Sequence, residues 1–429
     1  MNYLIMALSG ALAAFLANRG IAVFNDAVRP IMPEYREGRM TRAELATTTF
    51  ALSFGLVIGF GIPFSIMSPI ILVHSLFLGT DIIGIAFPGK PIDTWYKDRQ
   101  SVIGAALSVV CGAAYGVLLL LGLKSFVDLM KLLPVNVFDA WGGLGAPVLY
   151  AFAVFPCVVI AMEYGWKKGL ISLAIVLVIR QVVDKLKPGS MADGFALLAG
   201  LILVFFFAFR DKTPSTKTNM ASVFSDRAKN IMKNLPYIAC MGALYALACN
   251  MKILMEGPQS LIALKDGQMA SAISITIARA ISFVPLIGLT SLATGTFCVS
   301  GFGFTATAGL LASGPILAIV LGAVVMSAEA LSLVYIAKLF DLFPGVRRVA
   351  DSMRTAMTKL LEVALLVGSM SAANAMAPGI GFFVVAGLYL INEYFKRPMV
   401  RMVVGPLAAI IVGILVNVFA AVGLFTVVK

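Results

Sequence analysis

Three ionisable side chains lie in stretches otherwise apolar enough to enter a membrane: His74, Asp81 and Glu329. His74 is the single histidine of the chain. Its imidazole can bind a ligand or carry a proton near neutral pH. The alternative is a histidine hydrogen-bonded between packed helices. Asp81 follows Gly79-Thr80, where its carboxylate can hold a cation or proton, or cap a short helix over 82–87. Glu329, within VVMSAEALSLVY, has no basic residue within one helical turn. A membrane carboxylate without a near partner is by default a proton or cation site. A structural pair with Arg279, in ITIARAISFVP, is the competing reading. Asp81, Glu329 and His74 are therefore the expected ion-coupling residues.

Uncharged hydrogen-bonding groups cluster as well. Thr290, Ser291, Thr294, Thr296, Ser300, Thr305 and Thr307 stand among Gly295, Gly301 and Gly303. Ser and Thr can spend their hydroxyls on their own helix carbonyls. At this density beside glycine they point instead to unwound backbone lining a cavity. Exposed N–H groups at a half-helix start favour an anionic ligand group. The expected substrate-binding set is Ser65, Ser68, His74, Thr80, Ser291, Thr294, Thr296, Ser300 and Asn374. For Asn374, in GSMSAANAMAPG, helix-packing glue is the competing reading.

These residues need elements to position them. Of the 429 residues, 60% are hydrophobic and 13% charged, and mean hydropathy is +0.97. The apolar runs are continuous rather than alternating, so the chain reads as an all-α polytopic membrane protein and not a barrel. About fourteen hydrophobic segments are expected: 3–18, 45–62, 64–87, 101–123, 143–163, 169–184 and 192–209, then 235–251, 269–285, 286–311, 315–338, 360–377, 379–395 and 400–428. Two stretches, 60–87 and 283–311, are built to break: each opens near a proline (Pro63, Pro285) and carries hydroxyls and glycines. One such stretch in each half is the best sequence pointer to a transporter site.

Charge sets the expected orientation. With the N-terminus outside, the loops facing inward hold 24 Lys and Arg and the outer ones 7. An odd number of crossings in each half then makes two inverted repeats: 1–209 and 235–429. The basic stretch 210–234 links them on the cytoplasmic side, with an amphipathic helix over 220–234 near anionic headgroups. Both termini are expected on the periplasmic side.

Much chemistry is excluded. HExxH, GxSxG, Walker A and paired DDxxD motifs are missing, so nothing favours an enzyme. The five cysteines match no metal spacing. Neither a cofactor nor a metal is expected. The net charge of +12 sits in short loops where it orients helices, so nucleic acid is not an expected partner.

The opening MNYLIMALSGALAAFLANRGIAVFNDAVRPIMPEY and the run FGIPFSIMSPIILVHSLFLGTDIIG resemble the YhfT family of bacterial inner-membrane proteins, across essentially the whole chain. That resemblance implies a multi-pass protein of the bacterial cytoplasmic membrane and a transporter. Two inverted halves, each with a broken segment, are similar to elevator-type carriers, including the ascorbate permease of the phosphotransferase system. This implies a homodimer with a fixed scaffold and a sliding core. The leading expectation is a secondary active transporter of a small hydrophilic, anionic metabolite, coupled to protons or sodium. The alternatives are a permease dependent on a soluble phosphotransferase partner, and a membrane-embedded enzyme or channel.

Overall fold

The computed structural model describes residues 1–66, 68–89, 95–130, 132–135, 137–186, 191–212, 221–399 and 401–425. The chain is an all-α membrane protein. Among the described residues, six helices are long and apolar enough to span a bilayer, or seven if a pair bent by 66° counts as one. Among the described residues the one strand ladder is two residues long: β1 (Ile71–Leu72) lies parallel to β2 (Leu254–Met255).

The halves are assembled in the same way. In the first, α1 (Asn2–Arg19) is followed by α2 (Arg42–Leu56), α3 (Val73–Ala86), α4 (Arg99–Met130) and α5 (Val137–Tyr164). Helices 166–186 and 191–210 complete it. In the second, α6 (Leu235–Asn250) is followed by α7 (Met269–Thr294), α8 (Phe304–Leu311), α9 (Pro315–Leu342) and α10 (Pro344–Met376). Helices 380–394 and 401–421 complete it.

Matching helices make matching contacts. α1 packs on α3 and α4, and α6 packs on α8 and α9. A β-carbon on Gly10 would fall 2.2 Å from the Gly112 carbonyl oxygen, and one on Gly242 would fall 2.4 Å from that of Gly322. On Gly84 it would meet the Ala14 carbonyl at 2.3 Å, and on Gly309 the Ala246 carbonyl at 2.3 Å. Only glycine lets these backbones approach so closely, as at membrane helix interfaces generally. Asn18 donates to the carbonyl oxygens of Gly84 at 2.8 Å and Phe87 at 3.0 Å. Asn250 donates to those of Gly309 at 3.0 Å and Ala312 at 2.8 Å.

Both stretches expected to break do so, at different points from those expected. The first helix of the pair begins with a capping box, Thr41 with Glu44. It passes through a π-helical turn over Val57–Gly61 and a last helical turn, Ile62–Ile66. Bends and β1 follow before α3 starts. In the second stretch the expected boundary at 285/286 does not exist: Pro285 lies inside the continuous α7. Proline is tolerated there because neighbouring groups re-satisfy the freed backbone. The break falls later, at Gly295, whose φ of 70° ends α7 in the left-handed conformation.

The first break is a reversal rather than a gap in a straight rod. Arg42, at the start of the first broken stretch, donates to the carbonyls of Gly84 at 3.0 Å and Phe87 at 3.1 Å, at its end. The two ends are therefore at one level, and α2 and α3 pack side by side. The helix expected over 220–234 runs Ala221–Lys233. Its apolar residues Phe224, Ala228 and Ile231 are buried in the protein, not displayed to headgroups.

Candidate functional site

The tips of the two broken pairs cross between the halves. β1, in the first break, pairs with β2, which follows α6. Phe297, in the second break, bridges Ala22, which follows α1. Each tip thus hydrogen-bonds the extended chain of the opposite half: Ile71 N–H to the Ile253 carbonyl at 2.8 Å, and Phe297 N–H to the Ile21 carbonyl at 2.9 Å. This arrangement satisfies unwound backbone inside the protein, as a bilayer demands.

A cavity of about 210 Å³ opens beside these crossings. Phe24, Asn25 and Asp26 line it from the chain after α1, and Glu256 from the chain after α6. Phe60 and His74 contribute from the first broken pair. Arg279, Phe283, Cys298, Ser300 and Phe302 contribute from the second. Met357 and Leu361 of α10 close one side.

Its polar groups are few and mutually arranged. Glu256 accepts from the Tyr245 hydroxyl. Arg279 lines the same space with the opposite charge. Its guanidinium lies 4.7 Å from the Phe283 ring centroid, and its stem packs on Gly257. Asp26 is ion-paired with Arg29, which is fully buried. His74 stands between the edges of Phe24 and Phe60, with ring centroids 4.9 and 4.8 Å away. Its Nδ1 is buried and has no hydrogen-bond partner among the described residues.

Of the expected substrate-binding residues, His74 and Ser300 line this cavity. Most of the others bond nearby backbone. Ser65 Oγ donates to the Gly61 carbonyl at 2.7 Å and accepts from Leu72 N–H at 2.9 Å. Ser68 Oγ accepts from Ile70 N–H at 3.2 Å. Thr80 donates to the Phe77 carbonyl at 3.0 Å and Thr294 to the Thr290 carbonyl at 2.7 Å. Thr296 donates across to the Gly20 carbonyl at 3.1 Å. Ser291 is fully buried, and its hydroxyl has no partner among the described residues. Asn374 is exposed near the end of α10 and accepts from Gly379 N–H at 2.8 Å. It closes a helix end away from the cavity.

The two expected coupling carboxylates stand behind the cavity wall. Asp81 accepts from Phe24 N–H at 3.1 Å and Asn25 N–H at 2.8 Å. It lies inside α3, so it does not cap a helix at 82. Glu329 accepts from Phe302 N–H at 3.0 Å and Phe304 N–H at 2.9 Å, where α8 begins. That is where a helix dipole favours negative charge. The opposite end of the same break is served by cations. Arg36 donates to the Thr294 carbonyl at 3.2 Å, at the C-terminus of α7, and Arg29 to Thr290 Oγ1 at 3.2 Å. Arg279, weighed in the sequence as a partner for Glu329, lines the cavity together with Glu256.

Glu256 was not singled out in the sequence because it sits in ILMEGP, between segments. One signal could have found it. It lies 232 positions after Phe24, the separation that also relates Asn250 to Asn18 and Gly242 to Gly10.

The family assignment rests on comparison as well as pattern. The profile of the YhfT family, described as a protein of unknown function, matches residues 2–425. The chain is also 37% identical over 443 residues to the uncharacterized protein YhfT of Escherichia coli (strain K12), covering 99% of this chain and 98% of that one. This is an all-α membrane protein built around a buried, polar-floored cavity. It belongs to the YhfT family. No solved structure matches the chain.

Proposed function

We propose that this protein is a secondary active transporter of a small metabolite, with the central cavity as its substrate site. One observation carries the reading: backbone from both broken pairs and from both chains that follow the first helices converges on a single cavity. Paired discontinuous helices around a central site are a transporter device.

The repeated contacts of α1 with α3 and α4, and of α6 with α8 and α9, support two repeats. In this reading each repeat crosses five times and carries one hairpin that returns to its own side. An odd number of crossings in each repeat would invert the second and put both termini on one face, which the excess of Lys and Arg in the opposite loops makes the periplasmic one; an elevator movement in a homodimer is the mechanism proposed for it. Asp81 and Glu329 then act by holding the cavity-lining loops, and His74 is the titratable group best placed to couple a proton.

The test is gradient-driven uptake by the purified chain in liposomes, with Arg279→Gln as the site variant. Saturable uptake in the native protein and its loss in a variant that still folds are expected. Non-saturating conductance would indicate a channel instead.

A further inference from the structure

The ionisable groups at the cavity are balanced. Glu256 and Arg279 line it with opposite charges, and Asp26 is ion-paired with the buried Arg29. The remaining surface is mainly phenyl and aliphatic: Phe24, Phe60, Phe283 and Phe302 surround it, with leucines and isoleucine from α2 and α7. A ligand with net charge entering such a space loses its hydration and meets no net opposite charge. That cost is severe for any ion not individually paired. A wholly apolar ligand has the reverse problem, because it displaces water from the Glu256 carboxylate and the Arg279 guanidinium in the cavity wall and returns no polar contact. The cavity is also smaller than the roughly 300–1,000 Å³ typical of drug-sized ligands. Nucleotides and polyanionic sugar phosphates are therefore poor fits in both size and charge.

Resting on the reading of this cavity as a transport site, we infer that its ligand is a small net-neutral zwitterion with a compact apolar body, of the kind presented by an apolar α-amino acid. The carboxylate is met by the Arg279 guanidinium, which can hold two oxygens at once. The ammonium is met by Glu256, held in place by Tyr245. The side chain lies among the phenyl rings, beside the His74 imidazole. Such a ligand differs from the hydrophilic anion expected from the sequence, and a binding series decides between the two.

The experiment is a binding series on the full chain in nanodiscs, followed by thermal stabilisation and titration calorimetry. L-phenylalanine and L-leucine are compared with 3-phenylpropionate, which lacks the ammonium, and with phenethylamine, which lacks the carboxylate. The zwitterions are expected to bind, and each singly charged analogue to bind at least about tenfold more weakly. Glu256→Gln should narrow the gap between L-phenylalanine and 3-phenylpropionate, and Arg279→Gln the gap to phenethylamine. His74→Phe should weaken all of them.

Equal or tighter binding of 3-phenylpropionate, or binding of none of the amino acids, overturns the inference without relying on any variant. Transport is scored separately in liposomes. Amino-acid binding without accumulation removes the transporter reading and keeps the ligand class. Accumulation of a monocarboxylate without amino-acid binding does the reverse.

Discussion

The Glu329 carboxylate accepts the backbone N–H of Phe304 at 2.9 Å, so the deepest acidic group of the second half is spent on the start of a half-helix. Glu329→Gln keeps one acceptor but loses the charge and turns an amide N–H₂ toward backbone donors. A loss of about 1–3 kcal/mol in stability is expected, read as a lower unfolding temperature in detergent. Ligand affinity should fall with it, because Phe302 lines the cavity. Normal stability with altered ion stoichiometry would instead return Glu329 to a coupling role.

Asp81 does for the first half what Glu329 does for the second. It fixes the N–H groups of Phe24 and Asn25, and both residues line the cavity. Asp81→Asn should weaken ligand binding more than it weakens folding, since the loop it holds is part of the wall. The check is the ratio of affinity loss to thermal shift, compared with Glu256→Gln. If Asp81→Asn leaves affinity untouched, the loop does not depend on it.

Asn18 and Asn250 offer a test of the repeat that needs no ligand. Each bridges the C-terminal end of a first helix to the carbonyls ending the following half-helix. Asn250→Ala removes the side-chain donor to the Gly309 and Ala312 carbonyls and should cost about 1–3 kcal/mol. Asn18→Ala should cost less, because Arg42 still donates to the carbonyls of Gly84 and Phe87. Equal losses in the two variants would mean that Arg42 does not stand in for Asn18.

Sequence alone made part of this legible. Continuous apolar runs gave the class and most helix positions, because lipid forces every backbone group to be satisfied locally. The two breaks were visible as hydroxyl- and glycine-rich stretches. Their exact position was not, because Pro285 reads as a breaker while neighbouring helices let α7 run on to Thr294. The site was only half visible. His74 and Ser300 stood out as polar groups among apolar ones, and they do line the cavity. Ser65, Thr294 and Thr296 stood out for the same reason, yet they tie backbone. Type and spacing cannot separate a hydroxyl that faces a cavity from one that repairs an unwound turn. Glu256 looked like a loop residue because its burial comes from α6, α7 and the second break, which meet only in three dimensions.

Close backbone approach predicts a sharp contrast among glycines. Gly10→Val and Gly322→Val insert side chains where a β-carbon alone would stand 2.2 and 2.3 Å from a carbonyl oxygen. Overpacking of this kind costs about 1–3 kcal/mol or more, and both variants should lose folded yield in membranes. Gly122→Val in α4 is the control, as nothing lies within 4 Å of the β-carbon it would add. Fluorescence-detected size exclusion of the three variants measures the difference. Equal yields for all three would show that the α1–α4 and α6–α9 seams are looser than the contacts imply.

Orientation can be settled by labelling single cysteines from one side, on a chain whose five native cysteines are replaced. Arg42 bonds Gly84 and Phe87, so the chain before and after the first broken pair must lie on the same side of the membrane. Arg39→Cys and Lys97→Cys should therefore react together. The excess of Lys and Arg in these loops predicts that this side is the cytoplasm. Lys229→Cys, in the basic linker, should react with them. Ser313→Cys follows the second broken pair and should react only from outside, because an odd number of crossings separates it from the linker. A membrane-impermeant maleimide applied to intact cells and to opened ones gives the answer for each position. Labelling of Arg39→Cys and Lys97→Cys from opposite sides would contradict the hairpin. Labelling of Lys229→Cys and Ser313→Cys from the same side would mean that α6 does not cross, and the second half would not be inverted.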